Sequence, residues 1–214
     1  MALQNRGLLK TGLGKADVAS IPIPRLRDDY ILVKTIAVAL NPTDWQTVDE
    51  IPKSETTRLL LGCDYAGIVV EVGKDVTKNF KKGDRIAGGA HGGGFLGLHL
   101  IRMELMVNIG NDFEPEDGTF AEYIVVKGDI AMHIPDNISF EEAATLGSGI
   151  FTNALGLYRY LELPLLTFPL EEKRSDGPPL LIYGGSSASG TLAIQFAKLL
   201  VFILNFPKNL LNKS

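Results

Sequence analysis

Short apolar runs separated by turn residues dominate the first two thirds of the chain. Tyr30 to Leu40 is rich in β-branched and apolar residues, a composition that favours a strand. Glycines, prolines and charged turns bound further predicted strands at Leu59–Leu61, Gly67–Val72, Arg85–Ala87, Phe120–Val126 and Ile130–His133. Residues 1–30 show a mixed pattern that predicts an extended arm over Ile21–Pro24 and a turn over Arg25–Asp29. Many short strands of this kind suggest a partly closed β-barrel.

The hydrophobic period changes after Pro135. Ser139 is followed three residues later by Glu142, which is the pattern of a capping box, so a helix is predicted to begin there. A second helical stretch is predicted from about Ile150 to Leu161. The segment from Leu163 to Pro179 contains prolines and a charged run, and it is predicted to be a loop.

A strand, a glycine turn and a helix are predicted to follow that loop. The apolar run Leu180–Tyr183 indicates a buried parallel strand. Residues 184–190 form a Gly/Ser-rich turn, and the next residues have a helical period. Their polar members, Thr191, Gln195 and Lys198, fall on one stripe of that helix. This order is typical of the first half of a dinucleotide-binding unit, in which backbone N–H groups and the positive helix end face a pyrophosphate.

The turn matches the dinucleotide-binding pattern G-x-G-x-x-G only in part. Gly185 and Gly190 occupy the first and third glycine positions, but Ser187 occupies the second. A serine there can donate a hydrogen bond to phosphate, although its Cβ limits how closely the backbone approaches. An ordinary turn between a strand and a helix is the alternative. The predicted cofactor-binding residues of the turn are Gly184, Gly185, Ser186, Ser187, Ala188 and Gly190.

Composition limits the classes of function. The 214 residues are 45% hydrophobic with a net charge of −4, and they contain no long basic block that would favour nucleic-acid binding. The one cysteine, Cys63, excludes an internal disulfide and fits a reducing compartment. Met1–Lys10 lacks the apolar core of a signal peptide, and Leu199–Phe206 is too short to span a bilayer. These features predict a soluble cytoplasmic protein without nucleic-acid or membrane partners.

Six motifs in order resemble a known superfamily. They are Ala39–Trp45 (ALNPTDW), Leu61–Gly73 (LGCDYAGIVVEVG), Lys82–Arg85 (KGDR), Gly118–Tyr123 (GTFAEY), Pro135–Gly149 and Tyr183–Gly190 (YGGSSASG). This set resembles the zinc-independent branch of the medium-chain dehydrogenase/reductases, and within it the fungal trans-acting enoyl reductases. The resemblance implies an α/β fold with a β-barrel: a GroES-like barrel domain over residues 1–149, followed by an incomplete Rossmann (doubly wound) domain over residues 150–214. It also implies NADPH as the cofactor.

The resemblance also bears on zinc. Zinc-using relatives place a cysteine at the position of Asn41, and a histidine and a glutamate at the positions of Cys63 and Asp64. Asn41 is a poor zinc ligand, and Cys63 with Asp64 leaves a ligand set incomplete. The three histidines, His91, His99 and His133, are scattered and are predicted to lie on the surface or in the barrel. No metal is predicted.

The chemistry implied by the resemblance is hydride transfer from a nicotinamide to the β-carbon of an α,β-unsaturated carbonyl, with hydrogen bonds to the enolate oxygen. Asn41 and Asp44 are predicted catalytic residues of the barrel, with a capped turn as the alternative. Thr152 is predicted to contact the nicotinamide carboxamide or ribose, with a helix-surface hydroxyl as the alternative. Relatives often carry a lysine at the position of Gln46, and glutamine is a poor proton donor.

The predicted substrate is a small α,β-unsaturated carbonyl compound or an enoyl group on a carrier protein. A quinone oxidoreductase is the alternative within the enzyme class. The other alternative is a non-catalytic GroES-like remnant that acts as an interaction module. The oligomeric state is left open by the sequence.

Two segments depart from the resemblance. Residues 94–109 are apolar although they fall in a barrel loop, where polar residues are usual. They are interpreted as translated intron sequence or a gene-model error, with a lid or a partner-binding helix as the alternative. After Lys198, residues 199–214 do not supply the next strands of a Rossmann sheet. A frayed terminal unit and an impaired cofactor site are therefore expected.

Overall fold

The computed structural model of the chain describes residues 4–49, 58–90, 115–165 and 179–199, together with the backbone of Ile203 and Leu204. The chain divides into two compact units, Met1–Ser148 and Gly149–Ser214. The atypical segment 94–109 lies outside the described residues, as do positions 200–202 and 205–214. Among the helices that are described, none has both the length and the apolar character needed to cross a bilayer.

The first sheet of the N-terminal unit has three antiparallel strands in the order β2-β1-β4. These strands are β1 (Asn5–Gly12), β2 (Lys15–Ile21) and β4 (Leu59–Leu60). The prediction of an extended arm and a turn, without strands, in residues 1–30 is wrong. Most of β2 is exposed, so its sequence lacks the alternation that reveals a half-buried strand. Backbone pairing with β1, from Asn5 opposite Ile21 to Gly12 opposite Lys15, keeps it in the sheet.

The second sheet has five antiparallel strands in the order β7-β3-β5-β6-β8. The predicted strands are confirmed, with shifted ends and a short 3₁₀ turn at Gly128–Ile130 before the last one. Their bounds are Tyr30–Ala39 for β3, Asp64–Val72 for β5, Arg85–Gly89 for β6, Tyr123–Lys127 for β7 and Met132–His133 for β8.

The two sheets enclose one apolar core. Its largest fully buried members include Ile31, Tyr65, Ile86 and Ile124. Burying each such side chain contributes roughly 1.5–3 kcal/mol. The core therefore keeps the second sheet in place, and with it the first residue of β5, Asp64.

Helix α2 (Phe140–Ala144) lies over the other face of the five-stranded sheet, where Ala143 and Ala144 pack against Ala66 and Ala87. The predicted capping box is confirmed, because the Ser139 hydroxyl accepts from the Glu142 amide and the Glu142 carboxylate accepts from the Ser139 amide.

Two further helices carry residues of interest. Helix α1 (Pro42–Asp49) follows β3 directly. Helix α3 (Gly147–Ala154) continues as π-helical turns over Leu155–Tyr160, so the helical stretch predicted from about Ile150 is confirmed and begins earlier.

The second unit contains a parallel β-α-β arrangement of β9 (Pro179–Leu180), α4 (Ala188–Leu199) and β10 (Ile203–Leu204). The prediction that residues 199–214 supply no next strand was wrong for Ile203 and Leu204, which pair with β9. The prediction of a buried strand over Leu180–Tyr183 was wrong: the strand ends at Leu180, and Leu181 and Tyr183 are 72% and 92% exposed. Among the described residues β9 pairs with β10 alone, so no further strand extends the sheet on its other side. The polar stripe predicted for the helix is confirmed, since its three members are exposed on α4.

Candidate functional site

Asn41 connects β3 to helix α1, and its backbone and side chain have different partners. Its amide N–H donates to the Asp44 carboxylate Oδ2 over 2.6 Å, so Asp44 supplies one half of a capping box at the start of α1. Pro42 occupies the first helical position, where its missing N–H costs nothing. The Asn41 side chain does not cap the helix. Its Nδ2 donates instead to the Asp64 carboxylate Oδ2 over 2.9 Å.

Asp64 lies at the centre of the polar residues, at the first position of β5, and is only 2% exposed. Its other oxygen, Oδ1, accepts from the backbone N–H and from the hydroxyl of Ser148, each over 2.7 Å. Ser148 lies in the first turn of α3, where the helix end favours a negative charge. Burial raises the pKa of the Asp64 carboxyl, although the bonds from Asn41 and Ser148 act in the opposite direction.

Gly147 allows the start of α3 to approach Asp64. A Cβ at this position would lie 2.3 Å from the Gly88 carbonyl oxygen and 2.6 Å from Asp64 Oδ1. No side chain fits into that space without moving the sheet or the helix. Neither Gly147 nor Ser148 is predicted as a site residue, because a glycine and a serine just before a predicted helix are too common to indicate a contact with Asp64.

Two further titratable groups lie beside Asp64. Asp44 is 9% exposed, and its Oδ1 is buried with no hydrogen-bond partner among the described residues. Burial is the main cause that raises the pKa of the Asp44 carboxyl. The Cys63 sulfur lies 3.5 Å from the Thr43 hydroxyl, and burial raises the pKa of its thiol to about 12. We call Asn41, Asp44, Cys63, Asp64 and Ser148 the Asn41 cluster.

The cluster does not fit a zinc ion. Both oxygens of Asp64 already accept hydrogen bonds, and Asn41 directs an N–H donor at it where a metal needs an electron pair. Within the described part of the chain, no three His, Cys, Asp or Glu side chains are grouped as metal ligands would be. His133 lies elsewhere, with its ring tilted against that of Phe80 and its Nε2 3.2 Å from the Asn79 carbonyl oxygen. His91 and His99 lie outside the described residues.

Ser187 has a role in the glycine turn that differs from the predicted one. Its hydroxyl donates to the Gly184 carbonyl over 2.8 Å and accepts from the Gly190 N–H over 3.1 Å. Since α4 begins at the next residue, Ser187 is the N-cap of that helix. The hydroxyl proton is therefore used within the turn, and the expected donation from Ser187 to a phosphate stays a prediction.

The glycines of the turn are required by its geometry. Gly184 has a φ of +77°, a conformation that other residues rarely adopt. A Cβ at Gly190 would lie 2.2 Å from the Gly184 carbonyl oxygen, so only glycine lets α4 begin this close to the turn. The amides of Ala188 and Ser189 lie in the first turn of α4 and have no acceptor within the helix. They are the groups that can bind an anion.

Thr152 lies on α3 with its side chain exposed. Its neighbour Asn153 is 7% exposed, and its Nδ2 donates to the carbonyls of Gly149 (2.8 Å) and Ser189 (2.9 Å). Asn153 therefore ties α3 to the beginning of α4, where the turn ends. Asn153 is not predicted from the sequence, because its partner Ser189 is 36 positions away.

Comparison with known proteins identifies related sequences. Residues 27–136 match the family described as alcohol dehydrogenase GroES-like domain. The chain is 55% identical to the trans-enoyl reductase TOXD of Cochliobolus carbonum over 177 residues, which cover 83% of this chain and 52% of that protein. It is 47% identical to the trans-enoyl reductase resD of Aspergillus sclerotiorum over 205 residues, or 91% of this chain and 51% of that protein. The chain thus spans about half the length of these curated relatives.

Solved structures give the same result for the fold. A quinone oxidoreductase from Coxiella burnetii superposes with a TM-score of 0.66 at 24% identity, covering 94% of this chain and 56% of that one. A mycobacterial protein solved in complex with NADPH superposes with a TM-score of 0.63 at 20% identity, covering 94% and 52%. The predicted GroES-like, α/β fold class and the resemblance to fungal trans-enoyl reductases are confirmed.

Proposed function

Because this chain belongs to the family of alcohol dehydrogenase GroES-like domains, we propose that it acts in the NADPH-dependent, zinc-independent reduction of an activated carbon–carbon double bond. The observation that carries the proposal is the 55% identity to a trans-enoyl reductase over 83% of this chain. The substrate class is an α,β-unsaturated carbonyl compound, either free or bound as an enoyl thioester to a carrier protein.

The glycine turn of the second unit fits a dinucleotide pyrophosphate. Gly184 and Gly190 keep side chains out of the turn, and the amides of Ala188 and Ser189 are available to phosphate oxygens. We assign the turn, residues 184–190, to NADPH binding as the first β-α element of a Rossmann domain. When bound, the cofactor supplies the hydride. Thr152, exposed on α3, is assigned to hydrogen bonding with the nicotinamide carboxamide or ribose.

The Asn41 cluster provides hydrogen bonding in place of a metal. One N–H of the Asn41 amide donates to Asp64, which leaves the second N–H to donate to the carbonyl oxygen of the substrate. Such a donor stabilises the negative charge that develops on that oxygen when the β-carbon receives a hydride. Asp64, which Ser148 holds through two bonds, sets the orientation of the amide.

Asp44 acts on Asn41 rather than on the substrate in this proposal. Its Oδ2 holds the Asn41 backbone N–H, and its Oδ1 is buried. The carboxyl is therefore assigned a positioning role, in place of the direct catalytic role expected from the sequence. Cys63 is assigned no chemical step, because a thiol with a pKa of about 12 stays neutral in the physiological range.

A non-catalytic GroES-like module remains the second candidate, and one observation favours it. Leu181 and Tyr183 are 72% and 92% exposed, so the segment between β9 and the turn has little packing to hold it. A turn held this loosely loses affinity, because binding then includes the cost of ordering it. We therefore expect NADPH affinity below that of a rigid Rossmann domain.

The test is turnover by the purified chain with NADPH and a panel of enoyl thioesters and quinones, followed by NADPH absorbance. The proposal predicts oxidation of NADPH that depends on the enoyl thioester and is insensitive to a zinc chelator. Asn41→Ala should lower kcat by about a hundredfold, whereas the exposed control Asn79→Ala should not change it. A preference for quinones over enoyl thioesters would change the proposed substrate class. Absence of both turnover and saturable NADPH binding would favour the non-catalytic GroES-like module.

A further inference from the structure

Helix α1, which begins beside Asn41, buries no apolar side chain fully among the described residues. It has eight residues, and isolated helices of that length are marginal in water. Its only buried residue is Asp44, and Trp45 is 59% exposed. The polar contacts at the two ends of the helix are therefore available to set its position.

Lys10 supplies such a contact at the C-terminal end. It lies in β1 and is 2% exposed, although lysine is among the residues least often buried. Its Nζ donates to the Thr47 carbonyl oxygen over 2.5 Å. The last carbonyls of a helix have no donor within the helix, and a cation is favourable at that end. The Gly14 amide donates to the next carbonyl, that of Val48, over 2.9 Å.

Hydrogen bonds from the Asn41 cluster hold the other end of the same helix. Asp44 in the first turn accepts from the Asn41 backbone, and the Asn41 side chain donates to Asp64. A helix of this length measures about 12 Å from end to end. A shift at Thr47 is thus transmitted to Asn41 through a single rigid element.

We propose that Lys10 is a positioning residue for Asn41, acting through helix α1 from the opposite end of that helix. Its catalytic consequence rests on the function proposed above, whereas its effect on the helix does not. Lys10 contacts the helix at Thr47, six positions beyond Asn41 in the sequence, so its effect on the helix and its effect on catalysis can be measured by separate readouts.

Trp45 makes the helix directly observable, since it is the only tryptophan of the chain. The experiment compares the full chain with Lys10→Met, which keeps the aliphatic stem, and Lys10→Gln, which keeps a shorter donor. Lys15→Met, on the exposed strand β2, is the matched control. Acrylamide quenching and emission anisotropy of Trp45 report on the helix, and far-UV circular dichroism reports on the sheets.

The expected result is stronger quenching and lower anisotropy of Trp45 in Lys10→Met, a smaller change in Lys10→Gln and none in Lys15→Met, with the circular dichroism of the sheets retained. If the chain turns over, kcat should fall by about tenfold or more in Lys10→Met with little change in KM. Unchanged Trp45 signals in both folded Lys10 variants would overturn the inference. Loss of the sheet signal in both would also overturn it, because Lys10 would then support the whole unit. An inactive parent chain would refute the proposed function and leave the Trp45 comparison valid.

Discussion

Replacing Asp64 with alanine tests the Asn41 cluster most severely. The change leaves three donors without their acceptor: Asn41 Nδ2, the Ser148 amide and the Ser148 hydroxyl. An orphaned buried donor costs about 1–3 kcal/mol. Part of this cost is offset, because the variant no longer buries a carboxylate and the partly exposed Asn41 can reach water. We expect Asp64→Ala to lower the free energy of unfolding by about 3 kcal/mol.

Asp64→Asn is the matched control. Its amide oxygen can still accept from Ser148, but its amide nitrogen faces the Asn41 nitrogen, so the Asn41 amide must rotate to present its oxygen. The expected loss is about 1 kcal/mol. Because that rotation withdraws both N–H groups of Asn41 from their present directions, the variant should lose activity out of proportion to its loss of stability.

The pH dependence of this control has a definite sign. Burial raises the pKa of Asp64 in the folded state, so between the unfolded pKa, about 4, and the folded one the native state binds more protons. The contribution of Asp64 to stability is therefore fully present below the unfolded pKa and is lost as the pH rises through the folded pKa. Asparagine does not titrate, so the stability of the parent relative to Asp64→Asn should fall as the pH rises through that window.

Urea unfolding measures both effects, with Trp45 fluorescence reporting beside the cluster and far-UV circular dichroism reporting on the sheets. The midpoints of the two probes should move together in Asp64→Ala. A loss within about 0.5 kcal/mol, the range of ordinary surface substitutions, would refute the reasoning that Asp64 organises the site. So would a parent stability that rises relative to Asp64→Asn across the acidic window.

Three further predictions concern single residues. Cys63 is the only cysteine, and burial raises the pKa of its thiol to about 12. Near pH 8 it should therefore react with a disulfide reagent about a thousandfold more slowly in the native chain than in the denatured chain. Similar rates in the two states would contradict the burial of the thiol. Ser139→Ala should cost about 1 kcal/mol in urea unfolding, since it removes one half of the capping box with Glu142, and Ser139→Thr should restore most of it. Gly147→Ala should destabilise the first unit by about 2 kcal/mol or more, because its Cβ would lie 2.3 Å from the Gly88 carbonyl oxygen; no change in the unfolding midpoint would contradict this overlap.

Features that depend on neighbours in sequence could be predicted. Each of three confirmed predictions follows from a pattern of nearby residues: the capping box at Ser139, the strand from Tyr30 and the polar stripe of α4. The hairpin of β1 and β2 could not be predicted. Backbone hydrogen bonds hold β2 against β1, and because most of β2 is exposed its sequence shows no alternation of apolar and polar residues.

The candidate site depends on contacts between distant residues, and these leave little trace in a sequence. Asp64 and Ser148 are 84 positions apart, and Asn41 and Asp64 are 23 apart. The resemblance directed attention to Asn41 and to Asp64 as zinc-ligand positions, but not to the hydrogen bonds that join them. The glycine motif indicates that Ser187 lies in the turn, and donation to a phosphate is predicted from that position. The motif does not reveal that the Ser187 hydroxyl donates to the Gly184 carbonyl oxygen, because this bond depends on how the turn folds.

The most direct test of the account is an NMR titration of the isotope-labelled chain with NADPH, which detects weak as well as tight binding. Amide shifts should move in a saturable way at residues 184–190 and in the first turn of α4. They should be absent in Gly190→Val, whose side chain would fill the space beside the Gly184 carbonyl. Absence of any shift at these amides in the parent chain, or the same shifts in Gly190→Val, would contradict the claim that this turn binds the dinucleotide.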